Sequence, residues 1–363
     1  MSVIIFIIIL GALIFVHELG HFLVAKKNGI RVDEFAIGFP PTLISHTRGG
    51  TKYSLNLIPF GGYVKIFGEN PDEESLDVNR TDSFVNKSRW IQAAVLVAGV
   101  VFNIVFAWAL FVVILISGAP TSITAENTAD ATDTFVLISN VMENAPAAQA
   151  GLVANDIIIS ASNDTTTFSG ETLTVEQVKE VITSAPDTVT LEIKRGDEVL
   201  KIETVPVTGI IGDTKALGIS MDRIGTLSTP WYRAFSEAFT MTWSGLKAVF
   251  FGLGHLVGSL VTGSANLNSV SGPVGIVDMV GSAAKFGFVN LLAFTAMLSL
   301  NLAVLNIMPF PALDGGRLLF LAIESVIRRR IKPAFANATN ALGFLILIGF
   351  MIVVTINDVL KLF

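Results

Sequence analysis

Hydrophobic residues along this chain gather in four long charge-poor blocks, at about 3–24, 91–117, 288–310 and 334–356, with polar and charged residues returning between them. Each block approaches or exceeds the ~20 residues that an α-helix needs to cross the apolar core of a bilayer, so the pattern predicts four membrane spans. From Val3 to Val16 no residue is charged. A fifth block, 234–262, is less clean, because it holds Glu237, Lys247, His255 and a run of glycines from Gly245 to Gly263. That composition fits either a span or an amphipathic helix lying along the interface.

Between the second and third blocks the pattern changes to short alternations bounded by turn residues. Phe135 to Met142 reads as a strand, Ala145 to Leu152 as a short helix stopped at Gly151, and Asp156 to Ser160 as another strand. After a turn at Asn163-Asp164, Thr174 to Ser184 has helical spacing, with Val175, Val178, Val181 and Ile182 on one face. Two alternating strands, 188–194 and 198–205, flank Arg195-Gly196-Asp197. The expected fold is a polytopic α-helical membrane protein with four transmembrane helices and an inserted α/β domain.

Composition supports that division. Of 363 residues, 52% are hydrophobic and 15% charged, against roughly a quarter charged in soluble domains, and the mean hydropathy is +0.66. Between Thr121 and Arg223 there are 16 acidic and 6 basic residues, although the whole chain carries only −6. The rest is therefore slightly basic, and the two parts are built for different media. Lys and Arg also orient the spans. Nine lie between 25 and 90 and five between 317 and 332, including Arg328-Arg329-Arg330, which places both loops on the cytoplasmic side. The basic cluster is explained by topology and anionic lipid, with no nucleic acid required. Asp72-Glu73-Glu74 reads as a solvated loop, and His46 and His255 as surface or interfacial residues. The start lacks the basic region of a cleavable signal peptide and is read as a retained span.

Two constellations carry chemistry. His17-Glu18-Leu19-Gly20-His21 sets two imidazoles at i and i+4 on one helix face, where both reach one metal, and places a carboxylate beside them as a base for the attacking water. No cysteine is present, so a metal must be held by His and carboxylate. The second runs from Asn306 to Gly316, through Pro309-Phe310-Pro311-Ala312-Leu313-Asp314-Gly315. An acid at the end of a span is costly unless paired or bound to a cation, and the prolines and glycines let the chain turn it toward a neighbour. Asp314 is thus the expected third ligand of one Zn2+ per chain, with the fourth tetrahedral position left for water. The pairing constrains the topology, since Asp314 reaches the leaflet of the His motif only if 234–262 does not cross. That block is accordingly assigned to the outer interface.

These motifs together resemble the site-2 protease family, in its bacterial RseP-type branch, over nearly the whole chain. The matching features are His17 to His21, the Pro-x-Pro-x-Leu-Asp-Gly pattern ending at Gly315, Ser271-Gly272-Pro273-Val274-Gly275, and an inserted segment similar to a PDZ domain. Asn155-Asp156 stands where such domains usually carry Gly-Asp. The resemblance implies a zinc-dependent intramembrane endopeptidase with metal ligands His17, His21 and Asp314 and general base Glu18. It implies substrate contacts at Asn301 and Asn306, which hydrogen bonding between helices explains equally well, and a span-two motif at Gly99 and Asn103. It also implies that Gly61, Gly62, Tyr63, Val64, Lys65 and Ile66 form a strand that pairs with an unwound substrate; an ordinary turn is the alternative.

The expected substrates are proteins with one transmembrane span, such as anti-sigma factors or remnant signal peptides, trimmed beforehand by an upstream site-1-type protease. The expected setting is a bacterial plasma membrane, with the active site toward the cytoplasm and the PDZ-like domain outside. The domains read as 1–118 (membrane core), 119–224 (PDZ-like), 225–287 (interfacial helices) and 288–363 (membrane core). Two rivals use the same residues differently: a membrane-anchored PDZ adaptor with a vestigial metal site, and a transporter. The transporter fares poorly for want of paired broken-helix repeats.

Overall fold

The computed structural model describes residues 1–69, 77, 79–122, 132–170, 172–196, 198–212, 214–227, 229–263 and 271–361. The acidic run at 72–74 and Asp197 lie outside them. Contacts divide the chain into one unit of residues 1–113 with 235–363 and another of residues 114–234.

In the first unit, four helices among the described residues are long and apolar enough to cross a membrane: α1 (Ser2–Lys27), α2 (Arg89–Ser117), α7 (Phe288–Ile307) and α9 (Pro333–Leu360). At 1.5 Å per residue, the 26 residues of α1 extend about 39 Å, beyond the ~30 Å apolar core. Helix α1 has no amphipathic pattern to read, because its inner and outer surroundings are both apolar. Its buried residues are nevertheless one stripe, Ile9, Leu13, His17, Gly20, His21 and Ala25, while Val3, Ile4, Ile8 and Leu23 are exposed. Gly20 lets α2 approach, since a methyl group there would lie 2.6 Å from the Ala98 carbonyl oxygen.

Two further helices, α5 (Trp231–Thr262) and α6 (Pro273–Lys285), precede α7. Helix α5 is not among the four apolar spans. The indole of Trp108 on α2 donates to the Phe235 carbonyl, and Gly245 lies against Leu300, twelve residues or about 18 Å along α7. Helix α6 is pinned at its start by buried Asp358 of α9, whose carboxylate accepts from the Gly275 amide at 2.8 Å. It then packs Val280 against Ile9 and Leu13 of α1.

The segment after α1 is a folded sheet made by two long strands, β1 (Val32–Arg48) and β2 (Thr51–Ile66). They join through Gly49 and Gly50, both at positive φ, as a tight two-residue hairpin turn demands. Each strand then bends, at Gly38 and at Gly61, both at positive φ. As a result Glu34 to Ile37 pair with Lys52 to Leu55 on one side and with Gly62 to Lys65 on the other. The stretches 42–48 and 62–66 are left as the two edges of this sheet among the described residues.

The second unit is an antiparallel sheet. Its strands are β3 (Ala119–Ser122), β4 (Thr132–Val141), β5 (Ile157–Ser162), β7 (Val189–Arg195), β8 (Glu198–Thr204) and β11 (Ile219–Leu227), in the order β3-β11-β4-β5-β7-β8. Strand β6 (Thr167–Ser169) pairs with β5, and β9 (Val207–Ile211) with β10 (Thr214–Ala216). A short helix, α3 (Pro146–Gln149), and α4 (Val175–Ser184) cover it. Helix α4 opens with a reciprocal cap between Thr174 and Gln177, and lays Val178, Val181 and Ile182 on a core with Ile138, Ile158, Leu191 and Ile193. The strands and helix expected at 135–205 thus form close to their expected positions. Asn155 takes φ +74°, the left-handed conformation that glycine favours and asparagine tolerates. The next residue, buried Asp156, accepts from the Val153 amide and pairs with Arg195 at 2.8 Å.

Candidate metal centre

His17 and His21 lie near the end of the buried stripe of α1, four residues and one turn apart. Asp314 arrives from the far end of the chain. Helix α7 stops at Ile307 because Pro309 and Pro311 cannot continue it, and a new helix, α8 (Asp314–Ile327), starts at the acid itself. The connection is tight. Ala312 sits at φ +76°, its amide donates to the Asn340 side chain of α9, and a methyl group on Gly315 or Gly316 would lie 2.2 Å from a carbonyl oxygen of this loop. Small residues are needed there, and they hold the first turn of α8 against the end of α7.

The three side chains meet. His17 Nε2 lies 3.0 Å from Asp314 Oδ2, His21 Nε2 lies 3.3 Å from the same oxygen, and the two imidazole Nε2 atoms are 3.2 Å apart. Both histidines are buried and Asp314 is largely so. The His21 Nδ1–H donates to the Val95 carbonyl at 2.8 Å, which leaves Nε2 with a bare lone pair. An acceptor-rich triangle of this size, largely buried, calls for a cation. Tetrahedral zinc with bonds of ~2.0–2.1 Å sets its ligand atoms roughly 3.3 Å apart, so the donor set and the spacing fit.

The walls of the site come from α2. A methyl group on Gly99 would lie 2.5 Å from His21 Nε2 and 2.6 Å from His17 Cε1, so the α2 backbone rests on both rings. One turn on, fully buried Asn103 has its amide 3.2 Å from His17 Nδ1. A neutral His17 that offers Nε2 to a metal carries its proton on Nδ1. A half-turn of the amide, which exchanges its N and O, lets Asn103 Oδ1 accept that proton and gives a partner to an oxygen that otherwise lacks one. Ser299 of α7 locks the same point from the other side, its hydroxyl donating to the Asn103 carbonyl at 2.8 Å.

Glu18 is half-buried beside the triangle and interacts electrostatically with His21, His17 and Asp314. It lies outside the converging group of ligand atoms, a position open to a base and not to a ligand. Glu69, just past β2, forms an ion pair with Arg317, one turn beyond Asp314. Burial pushes its carboxyl above the usual range, against the opposing pull of the Arg317 charge. Sequence reasoning passed over Ser299, Glu69 and Arg317. A hydroxyl inside a span and a charge one turn after the Asp motif were the available signals.

The remaining expected positions are more scattered. Asn301 donates to the Met297 carbonyl of its own helix. Asn306 is half-buried and adjoins Ile307, whose carbonyl abuts Gly315. Gly61 to Ile66 lie in β2, and a methyl group on Gly62 would meet the Ala36 carbonyl oxygen at 2.7 Å and the Ile14 side chain at 3.7 Å. That edge therefore runs past α1 one turn before His17. His46 and His255 are both exposed.

The profile of peptidase family M50 matches residues 5–350 of the chain. Among similar proteins, one from Clostridium perfringens, provisionally named a zinc metalloprotease, is 36% identical over 99% of both chains. The regulator of sigma-W protease RasP of Bacillus subtilis is 31% identical, with 100% of this chain and 99% of that protein aligned. The zinc metalloprotease RasP of Oceanobacillus iheyensis is 29% identical over the same shares.

Proposed function

Because this chain belongs to peptidase family M50, the site-2 protease family, and is a membrane-embedded zinc metalloprotease, we propose that it cuts the transmembrane segments of single-span proteins inside the bilayer. The observation that carries the reading is the convergence of His17 Nε2, His21 Nε2 and Asp314 Oδ2 to within 3.0–3.3 Å. These three would hold one zinc ion per chain, which when bound supplies Lewis acidity to water and to the scissile carbonyl. Glu18 takes the proton of the attacking water and passes it to the leaving amine. Asn103 and Val95 fix the two rings by their outer nitrogens, and Gly99 closes the third side.

A helical substrate hides each peptide carbonyl in an i to i+4 bond, so its target segment must unwind. The edge 62–66 of the β1–β2 sheet offers the freed backbone groups a strand to pair with. Its closeness to Ile14 supports that role, because a peptide added there lies beside the catalytic turn of α1. Asn301 and Asn306 are assigned to the substrate side of α7.

The acidic inserted unit is read as a PDZ-like domain outside a bacterial plasma membrane, and the basic loops as cytoplasmic. Helix α5 is taken to enter from the outer face without crossing, its middle reaching Leu300. The substrates are read as anti-sigma factors or remnant signal peptides that an upstream site-1-type protease has trimmed; the relative named a regulator of sigma-W protease supports the first of these. The test is the full-length Glu18→Gln variant in native membranes. It should retain zinc and trap single-span proteins that only the wild type cleaves. Cleavage by the variant would exclude Glu18 as the base, and an uncleaved binding partner of the wild type would favour an adaptor.

A further inference from the structure

Three elements on the far side of α1 from the metal centre change from apolar to basic in the same direction. Along α1, Phe15, Leu19 and Phe22 form an i, i+4, i+7 stripe that ends at Lys26. Along one face of β1 the order is Ile44, His46, Arg48, and on the strand beside it Leu55 leads to Tyr53, the cross-strand partner of His46. The sheet overhangs the helix, anchored by Phe35 on Phe15 and Phe22 at ring distances of 5.8 and 5.2 Å. Under the overhang lies an apolar groove of about 450 Å³, walled by the α1 stripe, Ile44 and Leu55. His46 and Tyr53 also line the adjoining cavity of about 520 Å³, whose other walls are Lys26, Arg48 and Gly49. Lys26 is held toward this cavity by bonds from its ammonium to the Gly49 carbonyl and the Thr51 hydroxyl, and keeps a third donor.

We propose that this wedge is a binding site for one anionic phospholipid, with the phosphate on Lys26, His46 and Arg48 and an acyl chain in the groove along α1. Phe15 to Lys26 covers eleven residues, about 16 Å, which is the half-thickness of a bilayer core of ~30 Å. The gradient therefore has both the length and the direction of a lipid in the leaflet that holds the C-terminal end of α1. Two cations and a histidine at the wide end select a negative headgroup over a zwitterionic one. The site is separate from the catalytic triangle, and its bound lipid would brace the sheet whose opposite edge, 62–66, passes α1.

The test is native mass spectrometry of the full-length protein from micelles doped equally with phosphatidylglycerol and phosphatidylcholine. The wild type should retain one slowly exchanging phosphatidylglycerol. Lys26→Gln with Arg48→Gln should lower the preference for phosphatidylglycerol by about 30-fold, a factor of about five for each charge near a membrane surface. Ile44→Trp, which fills the groove and leaves the charges, should release the retained lipid altogether. A photoreactive benzoylphenylalanine in place of Leu55 should gain the mass of a lipid on illumination in membranes. Equal retention of both lipids by the wild type, retention unchanged in Ile44→Trp, or crosslinking to a protein in place of lipid would each overturn the proposal.

Discussion

A single added methyl group separates Gly99 from alanine, and it would meet two imidazole rings at 2.5 and 2.6 Å. Gly99→Ala should therefore force α2 and α1 apart by several tenths of an ångström and spoil the triangle, with zinc content and cleavage falling together while the helices persist. Zinc analysis and circular dichroism of the purified variant check this; full zinc occupancy would show that the close approach is not needed. The residues that converge in the candidate centre were legible in the sequence because their spacing is a statement about geometry. His17 and His21 are one turn apart, and Asp314 is an acid where an acid is expensive. Gly99 was not legible in the same way, since glycines in spans usually serve helix packing and only coordinates reveal that its neighbours are His17 and His21. Asn155 was legible only in part: asparagine supplies the φ of +74° that the expected glycine would have supplied.

At the scale of the element, the β1–β2 sheet is the feature whose form the sequence concealed. The stretch from Gly61 to Ile66 reads as a strand, but nothing local says that Glu34 to Ile37 would be paired on both sides, since strand order is decided by contacts far apart along the chain. Helix α6 fell within the expected interfacial helices at 225–287 without bounds of its own, because its start is fixed from outside, by Asp358 of α9. The strand edge carries its own prediction. Gly62→Val places side-chain atoms against the Ala36 carbonyl and Ile14, so the edge should be displaced from α1. Cleavage of a membrane-embedded substrate in proteoliposomes should fall by about tenfold or more, the cost of a strand pairing lost by ~1.4 kcal/mol, with zinc content unchanged. An unaltered rate would remove 62–66 from the substrate path.

For the whole molecule, four apolar helices and an acidic β-rich insert follow directly from the hydropathy and charge patterns, because bilayer thickness and the medium on each side act on composition alone. How the helices pack is less visible, as lipid and neighbouring helices are equally apolar and α1 therefore shows no hydrophobic face. If the inserted unit screens substrates by size, a single-span protein with its full external domain should be cut much more slowly than the same protein trimmed near the membrane. Comparing the two forms in one reconstituted assay measures this, and equal rates would deny the insert that role.

In the proposed enzyme one ion is held jointly by two segments nearly 300 residues apart in the chain. X-ray absorption at the zinc edge, on the full-length protein and on Asp314→Ala, measures this most directly. The wild type should give two imidazole nitrogens and oxygen neighbours at ~2.0–2.1 Å with no sulfur, and the variant should lose zinc or one oxygen neighbour. A wild type without zinc, or a coordination shell that Asp314→Ala leaves unchanged, would contradict it.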